Sequence, residues 1–278
     1  MVENRPWLRG LSHGVLWLGV ALIAFPLYLT FVASTQSASD IVQAPMSLWP
    51  GPHLLENYRS VLLGEGHRPA VGQMLWVSLV MALLIAVGKI SVSFLAAFAM
   101  VYCQFPCRKL VFGLIFMTLM LPVEVRISPT FDVVVGLGLA NTYAGLTLPL
   151  MASATATFLF RQFFMTVPNE LVEAAKIDGA GPLRFLKDVL WPLSQTSIAA
   201  LFVIQFTYGW NQYLWPLVLK TTEDMTTVVV GIRAMMGADS AVEWHLVMAT
   251  AMLAMVPPCL VVVLMQKWFV KGLVDSEK

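Results

Sequence analysis

Charge is what this chain of 278 residues has least of: Asp, Glu, Lys and Arg together make up 12% of it, where soluble domains sit near a quarter. An ordinary water-soluble globule is thereby excluded, and the 58% of hydrophobic residues points to a polytopic membrane protein. A formal net charge of +1 leaves no basic excess for a polyanion, so no nucleic-acid partner is expected. Cysteine is nearly absent: Cys103, Cys107 and Cys259 are an odd number without a disulfide framework. Cys103-x3-Cys107 has no histidine beside it and reads as two small hydrophobes at a membrane boundary, so no metal site is expected. A phosphate-cradling loop is missing too. Gly88-Lys89 has the last residues of one, but the upstream glycine is lacking and the pair sits in an apolar helix. His13, His53, His67 and His245 are scattered, with no His-x-x-x-His and no paired carboxylates on a helix. No convergent catalytic group can be named, and an enzyme is the least supported class.

What is present is long apolar runs. A helical span needs about 20 apolar residues. Candidate spans run over 11–34, 73–102, from 110 past 124 and 126, over 142–160, 193–219 and 245–266. The first has a signal-peptide flank in Arg5 and Arg9, but its apolar run is long for a signal and reads as a retained span. The third breaks at Pro122, too early to cross alone. Residues 35–72 are turn-rich and read as a loop. Six spans put both termini on one side. Arg5, Arg9, Arg108, Lys109, Arg161, Lys176, Arg184, Lys187, Lys267, Lys271 and Lys278 fall on that side, against Arg59, Arg68, Arg126, Lys220 and Arg233 on the other. The richer side is cytoplasmic by the positive-inside rule. The expected division is 1–70 (tail, first span and outer loop), 71–267 (the body with the remaining spans) and 268–278 (a cytoplasmic tail).

One polar passage lies between apolar segments and still reads as helix, VPNELVEAAKIDGAGPLRFLKDVLWP at 167–192. Pro168 suits a first helical turn, and Glu170 and Glu173 suit the positive end of the dipole. Leu171, Ala174 and Ala175 follow at three- and four-residue spacing and share a face. Gly179 offers a left-handed stop, and Gly181-Pro182 restarts the chain. A second helix then carries Leu183, Leu186 and Leu190, with Lys187 and Asp188 on its other side. The charge bias places this helix–turn–helix in the cytoplasm, with a small-residue face on which another protein surface can seat closely.

Glu173-Ala174-Ala175, then Gly179 after three residues, then Val189-x-Trp191-Pro192 after nine, resembles the EAA loop of ABC importer permeases. Val189 stands for the usual Ile and Trp191 for Leu. Gly138-Leu139-x-Asn141-Thr142-Tyr143-Ala144-Gly145-Leu146 and Phe25-Pro26-Leu27 resemble the carbohydrate-type branch. The runs 119–126, 151–157 and 272–278 are similar to permeases, of the second-subunit kind, that import sn-glycerol 3-phosphate. The resemblance implies an all-α fold: six transmembrane helices with a cytoplasmic coupling helix–turn–helix, the type I importer permease, in a bacterial inner membrane. It implies a heterodimer with a homologous permease, two copies of an ABC ATPase subunit, and a periplasmic solute-binding protein. ATP and Mg would sit on the ATPase, with no cofactor on this chain. Glu173, Ala174, Ala175, Asp178, Gly179 and Pro192 would carry the coupling. A neutral sugar or polyol is the alternative solute. A secondary transporter fits less well, since no inverted repeat is visible.

Ionisable and amide groups within spans are candidates for the solute path. Lys89 lies mid-span and reads either as path-lining or as pairing with a neighbouring helix. Glu124 and Arg126 follow Pro122 and read either as the outer mouth or as an interfacial ion pair. Asn211 and Gln212, within Tyr208-Gly209-Trp210-Asn211-Gln212-Tyr213, read either as solute contacts or as interhelical hydrogen-bonding groups.

Overall fold

The computed structural model describes residues 6–64, 70–120, 122–237 and 242–275. Arg5, His67, Arg68 and Lys278 lie outside that set, as do the side chains of Arg9, Glu124 and Lys271. Every regular element among the described residues is helical. In order these are α1 (Pro6–Ser34), α2 (Leu54–Leu63), α3 (Val71–Tyr102), α4 (Arg108–Met117), α5 (Val123–Gly136), α6 (Tyr143–Thr147) and α7 (Ala154–Thr166). There follow α8 (Asn169–Ile177), α9 (Pro182–Phe185), α10 (Trp191–Leu193), α11 (Gln195–Trp210), α12 (Leu214–Leu219), α13 (Val228–Met235) and α14 (Trp244–Asp275). Between α9 and α10, Leu186–Leu190 forms a π-turn.

α1, α3 and α14 are each long and apolar enough to cross a membrane. Two bent pairs bring the count to five if each pair is one span: Tyr143–Leu150 with Ala154–Thr166, bent by 50°, and Pro182–Leu193 with Gln195–Trp210, bent by 75°. The expected third span is not among them. It is divided into α4, ending at Met117, and α5, starting after Pro122, which has no N–H to donate to a continuing helix. Pro26 lies inside α1, and its own carbonyl accepts the Thr30 hydroxyl at 2.9 Å.

The chain divides into two compact units. The first joins residues 1–72 to 231–256. Within it, the expected loop after α1 is an ordered strap with a helix of its own, α2. Polar groups at the end of α1 organise it. Thr35 accepts from Gly51 through its hydroxyl at 2.7 Å and from His53 through its carbonyl at 3.2 Å. Asn57 of α2 donates to the Ser34 and Gln36 carbonyls, each at 2.9 Å. Gly51 is required here, since a Cβ would lie 2.5 Å from the Thr35 carbonyl oxygen. The length and alternation of 35–53 gave no sign of this, because side-chain-to-backbone bonds hold it rather than an apolar face.

The second unit, 73–230 with 257–278, carries the coupling passage and the candidate path. One core cluster joins Ile90, Phe94, Ala97 and Phe98 of α3 to Ala156, Phe160 and Phe164 of α7, Phe185 and Leu190, and Leu201 of α11. A second joins Val77, Met81 and Ile85 to Val134 of α5, Leu146 of α6, and Trp215 and Leu219 of α12. Trp215 donates its indole N–H to the Gly145 carbonyl at 3.2 Å. Asn141 clamps the far turn. Its Oδ1 accepts from the N–H of Thr221 and of Thr222, at 2.9 and 3.3 Å, and its Nδ2 donates to the Thr221 hydroxyl.

Candidate functional site

The passage expected to carry the coupling begins with a short amphipathic helix, α8. Pro168 stands just before α8, as its N-cap, with Glu170 in the first turn and Lys176 in the last, each complementing the dipole there. The helix closes on a Schellman motif: Ala180 N–H reaches the Ala175 carbonyl at 2.8 Å and Gly179 N–H reaches Lys176 at 3.0 Å. Gly179 supplies the left-handed residue at φ +69°. Nothing lies within 4 Å of where its Cβ would be, so within this chain only the backbone asks for glycine.

The anticipated single face of Leu171, Ala174 and Ala175 is split. Val172 and Ala175 pack against the aromatic cluster. Leu171, Glu173, Ala174, Ile177 and Asp178 are exposed, Ile177 by 86%. The outward surface is thus two carboxylates around an alanine, with two unburied aliphatic side chains. Ala175 belongs to the inner seam.

Behind that surface the passage is packed on aromatic rings. Phe185 meets the Tyr102 ring edge-on at 5.2 Å, and Trp191 meets Phe94 at 5.7 Å. Phe94 in turn contacts Phe160 and Phe164 at 5.2 and 5.1 Å, both edge-to-face. The Tyr102 hydroxyl donates to the Phe164 carbonyl at 3.1 Å. Close-packed rings thus tie α9 and α10 to α3 and α7. Trp191, where the resembling family has Leu, extends this ladder. Pro192 is exposed beside it. The Arg184–Asp188 pair, 3.4 Å apart and both well exposed, adds at most about 1 kcal/mol.

The candidate path residues do not converge on one wall. Lys89 is buried, with 6% exposure, and its Nζ stands 3.4 Å from the centroid of the Tyr208 ring. Arg126 is exposed and lines a small cleft with Ile127, Thr130, Pro149, Leu150 and Trp215. Asn211 caps α11 and is exposed. Gln212 turns back, donating Nε2 to the Tyr208 carbonyl at 3.1 Å, so that amide serves the backbone. Glu124 falls in α5, and its side chain lies outside the described set. Tyr208 joins the candidate residues through its contact with Lys89. The sequence says only that a buried ammonium needs an electron-rich neighbour, not which one.

Apolar spans, two bent helix pairs and an outward polar helix anchored on aromatic rings describe a membrane-embedded subunit. Residues 41–275 match the family described as binding-protein-dependent transport system inner membrane component, and the chain belongs to that family. Relatives include the sn-glycerol-3-phosphate transport system permease protein UgpE of Brucella melitensis biotype 1 and that of Agrobacterium fabrum, each 58% identical over 100% of both chains. The protein of the same name from Escherichia coli O1:K1 is 57% identical over the same share. A crystal structure of a bacterial ABC transporter involved in the import of the acidic polysaccharide alginate contains a chain that superimposes with a TM-score of 0.77. It covers 97% of this chain and 99% of its own at 21% identity, and so supports the type I permease fold. The chain is a multi-pass permease subunit of an ABC importer, not an enzyme, and such a subunit works with an ATPase and a further permease.

Proposed function

We propose that this chain carries sn-glycerol 3-phosphate across a bacterial inner membrane as one half of a heterodimeric permease. Two ATPase copies dock on the two coupling passages, and a periplasmic binding protein delivers the solute. ATP and Mg are held by the ATPase, and this chain binds no cofactor. Both termini and 167–192 lie in the cytoplasm, in keeping with the bias of Lys and Arg. Glu173 and Asp178 meet basic groups of the ATPase, Ala174 and Gly179 allow close seating, and Ala175 and Pro192 hold the lever to the span behind it. ATP-driven closure of the ATPase pair rocks α8, and the ring ladder from Phe185 and Trp191 passes the motion to α3 and α7. Lys89, Arg126, Glu124, Asn211 and Gln212 are the path candidates. The observation carrying this reading is the full-length match, at 57–58% identity, to permeases named for this solute.

A competition series tests the solute. Labelled sn-glycerol 3-phosphate is taken up by proteoliposomes holding the complete importer while unlabelled phosphorylated or neutral polyols and sugars compete. Competition by phosphorylated polyols alone is expected. Equal competition by a neutral sugar would retain the lever and discard the solute.

A further inference from the structure

Lys89 is the one cation sealed within an otherwise apolar helix of 32 residues. An ammonium in that position is costly unless something offsets its lost hydration. Among the described residues it forms no ion pair. Its neighbour is instead the face of Tyr208, 3.4 Å from Nζ to the ring centroid, a contact that covers one side of the ammonium and leaves N–H donors on the other.

The backbone around Lys89 is built for close approach. A Cβ on Gly209, next to Tyr208, would come within 2.9 Å of the Ala82 Cα, so the end of α11 lies directly on α3. A Cβ on Gly88 would lie 2.5 Å from Met151 Cγ, which brings in the break between α6 and α7. One turn beyond Lys89, Ser93 donates its hydroxyl to the Ser153 carbonyl at 3.2 Å, and Ser153 is the N-cap of α7. Two chain segments, the end of α11 and the break between α6 and α7, meet α3 near its buried cation. Non-helical backbone within a membrane is tolerated where it is buried in protein or lines a polar route.

We propose that Lys89 is the station on this chain that takes the solute's phosphoryl group, and that Tyr208 is the positioning residue that holds the ammonium ready for it. The inference rests on the solute reading given above. A phosphate monoester leaving water needs charge-assisted donors, and a lysine ammonium is a compact charge with three of them. A neutral polyol gains far less from that charge, so the same group favours the phosphorylated solute inside the path. No bond is made or broken.

The test uses the complete importer in proteoliposomes. Uptake of sn-glycerol 3-phosphate and ATP hydrolysis are read together, with complex yield as a control. Lys89→Met is expected to lower solute moved per ATP hydrolysed by about tenfold or more, the loss of a charge-assisted contact. Lys89→Arg, which keeps the charge, is expected to recover most of that ratio. Tyr208→Phe keeps the ring and should stay within about twofold, whereas Tyr208→Leu should fall by about fivefold. Wild-type uptake per ATP in Lys89→Met would overturn the station. So would equal losses in Lys89→Met and Lys89→Arg with hydrolysis falling in parallel, since that pattern belongs to packing. Wild-type transport in Tyr208→Leu would remove Tyr208. A wild-type importer that hydrolyses ATP but takes up no sn-glycerol 3-phosphate would instead sink the solute reading, and the station with it.

Discussion

Gly179 offers the sharpest perturbation, because backbone and surface can be separated there. Its φ of +69° lies where a Cβ costs about 1 kcal/mol or somewhat more. That is a roughly fivefold loss in the population of the Schellman turn. The space around it is open within this chain, so no substitution there should disturb the membrane-embedded core. Asn adopts the left-handed conformation more readily than Ala yet is larger. If Gly179 only shaped the turn, Gly179→Asn would transport better than Gly179→Ala. If the ATPase seats closely on this turn, the order reverses, and Gly179→Leu transports least. The expected result is that reversed order in ATP-dependent uptake, with all three variants giving full yield of the two-permease membrane part. Wild-type uptake by Gly179→Leu would refute docking at this turn.

Glu173→Lys places a cation on the exposed face of α8 and is expected to reduce ATPase recovered in a pull-down; full recovery with normal uptake would count against a charge contact. Gly145→Ala should be the most disruptive glycine change, because its Cβ would meet the Leu139 carbonyl oxygen at 2.2 Å. Overpacking of this kind costs about 1–3 kcal/mol or more, read as a lower Tm of the purified complex. Gly88→Ala should cost less than Gly209→Ala, since the flexible Met151 side chain can yield and the Ala82 backbone cannot. Asn141→Ala removes the acceptor of two N–H groups and should lower stability by about 2 kcal/mol. Asn141→Gly would relieve the φ of +53° without restoring those bonds, so most of the loss should remain.

The elements legible in the sequence were those written in local chemistry. The turn at Gly179 followed from one glycine after a helical pattern, and the restart at Gly181-Pro182 from the next pair. Long apolar runs located α1, α3 and α14 because membrane spans need little beyond length. What escaped depended on partners distant in sequence. The strap after α1 is held by Asn57 and Thr35 bonding to backbone, which has no periodicity. The split face of α8 arises because Ala175 meets rings contributed by other helices, and helical spacing alone cannot say which of two adjacent alanines turns inward. Lys89 could be read as an isolated cation, but Tyr208, 119 positions away, could be identified as its partner only from the fold. The division of the third span was visible at Pro122, though not the separation into two helices too short to cross alone.

The most direct test is uptake of sn-glycerol 3-phosphate by proteoliposomes containing this chain, its companion permease and the binding protein, with and without the ATPase subunit and ATP. Uptake is expected only in the full set with hydrolysable ATP. Uptake that persists without the ATPase would contradict an ATP-driven lever and identify a carrier that works by itself.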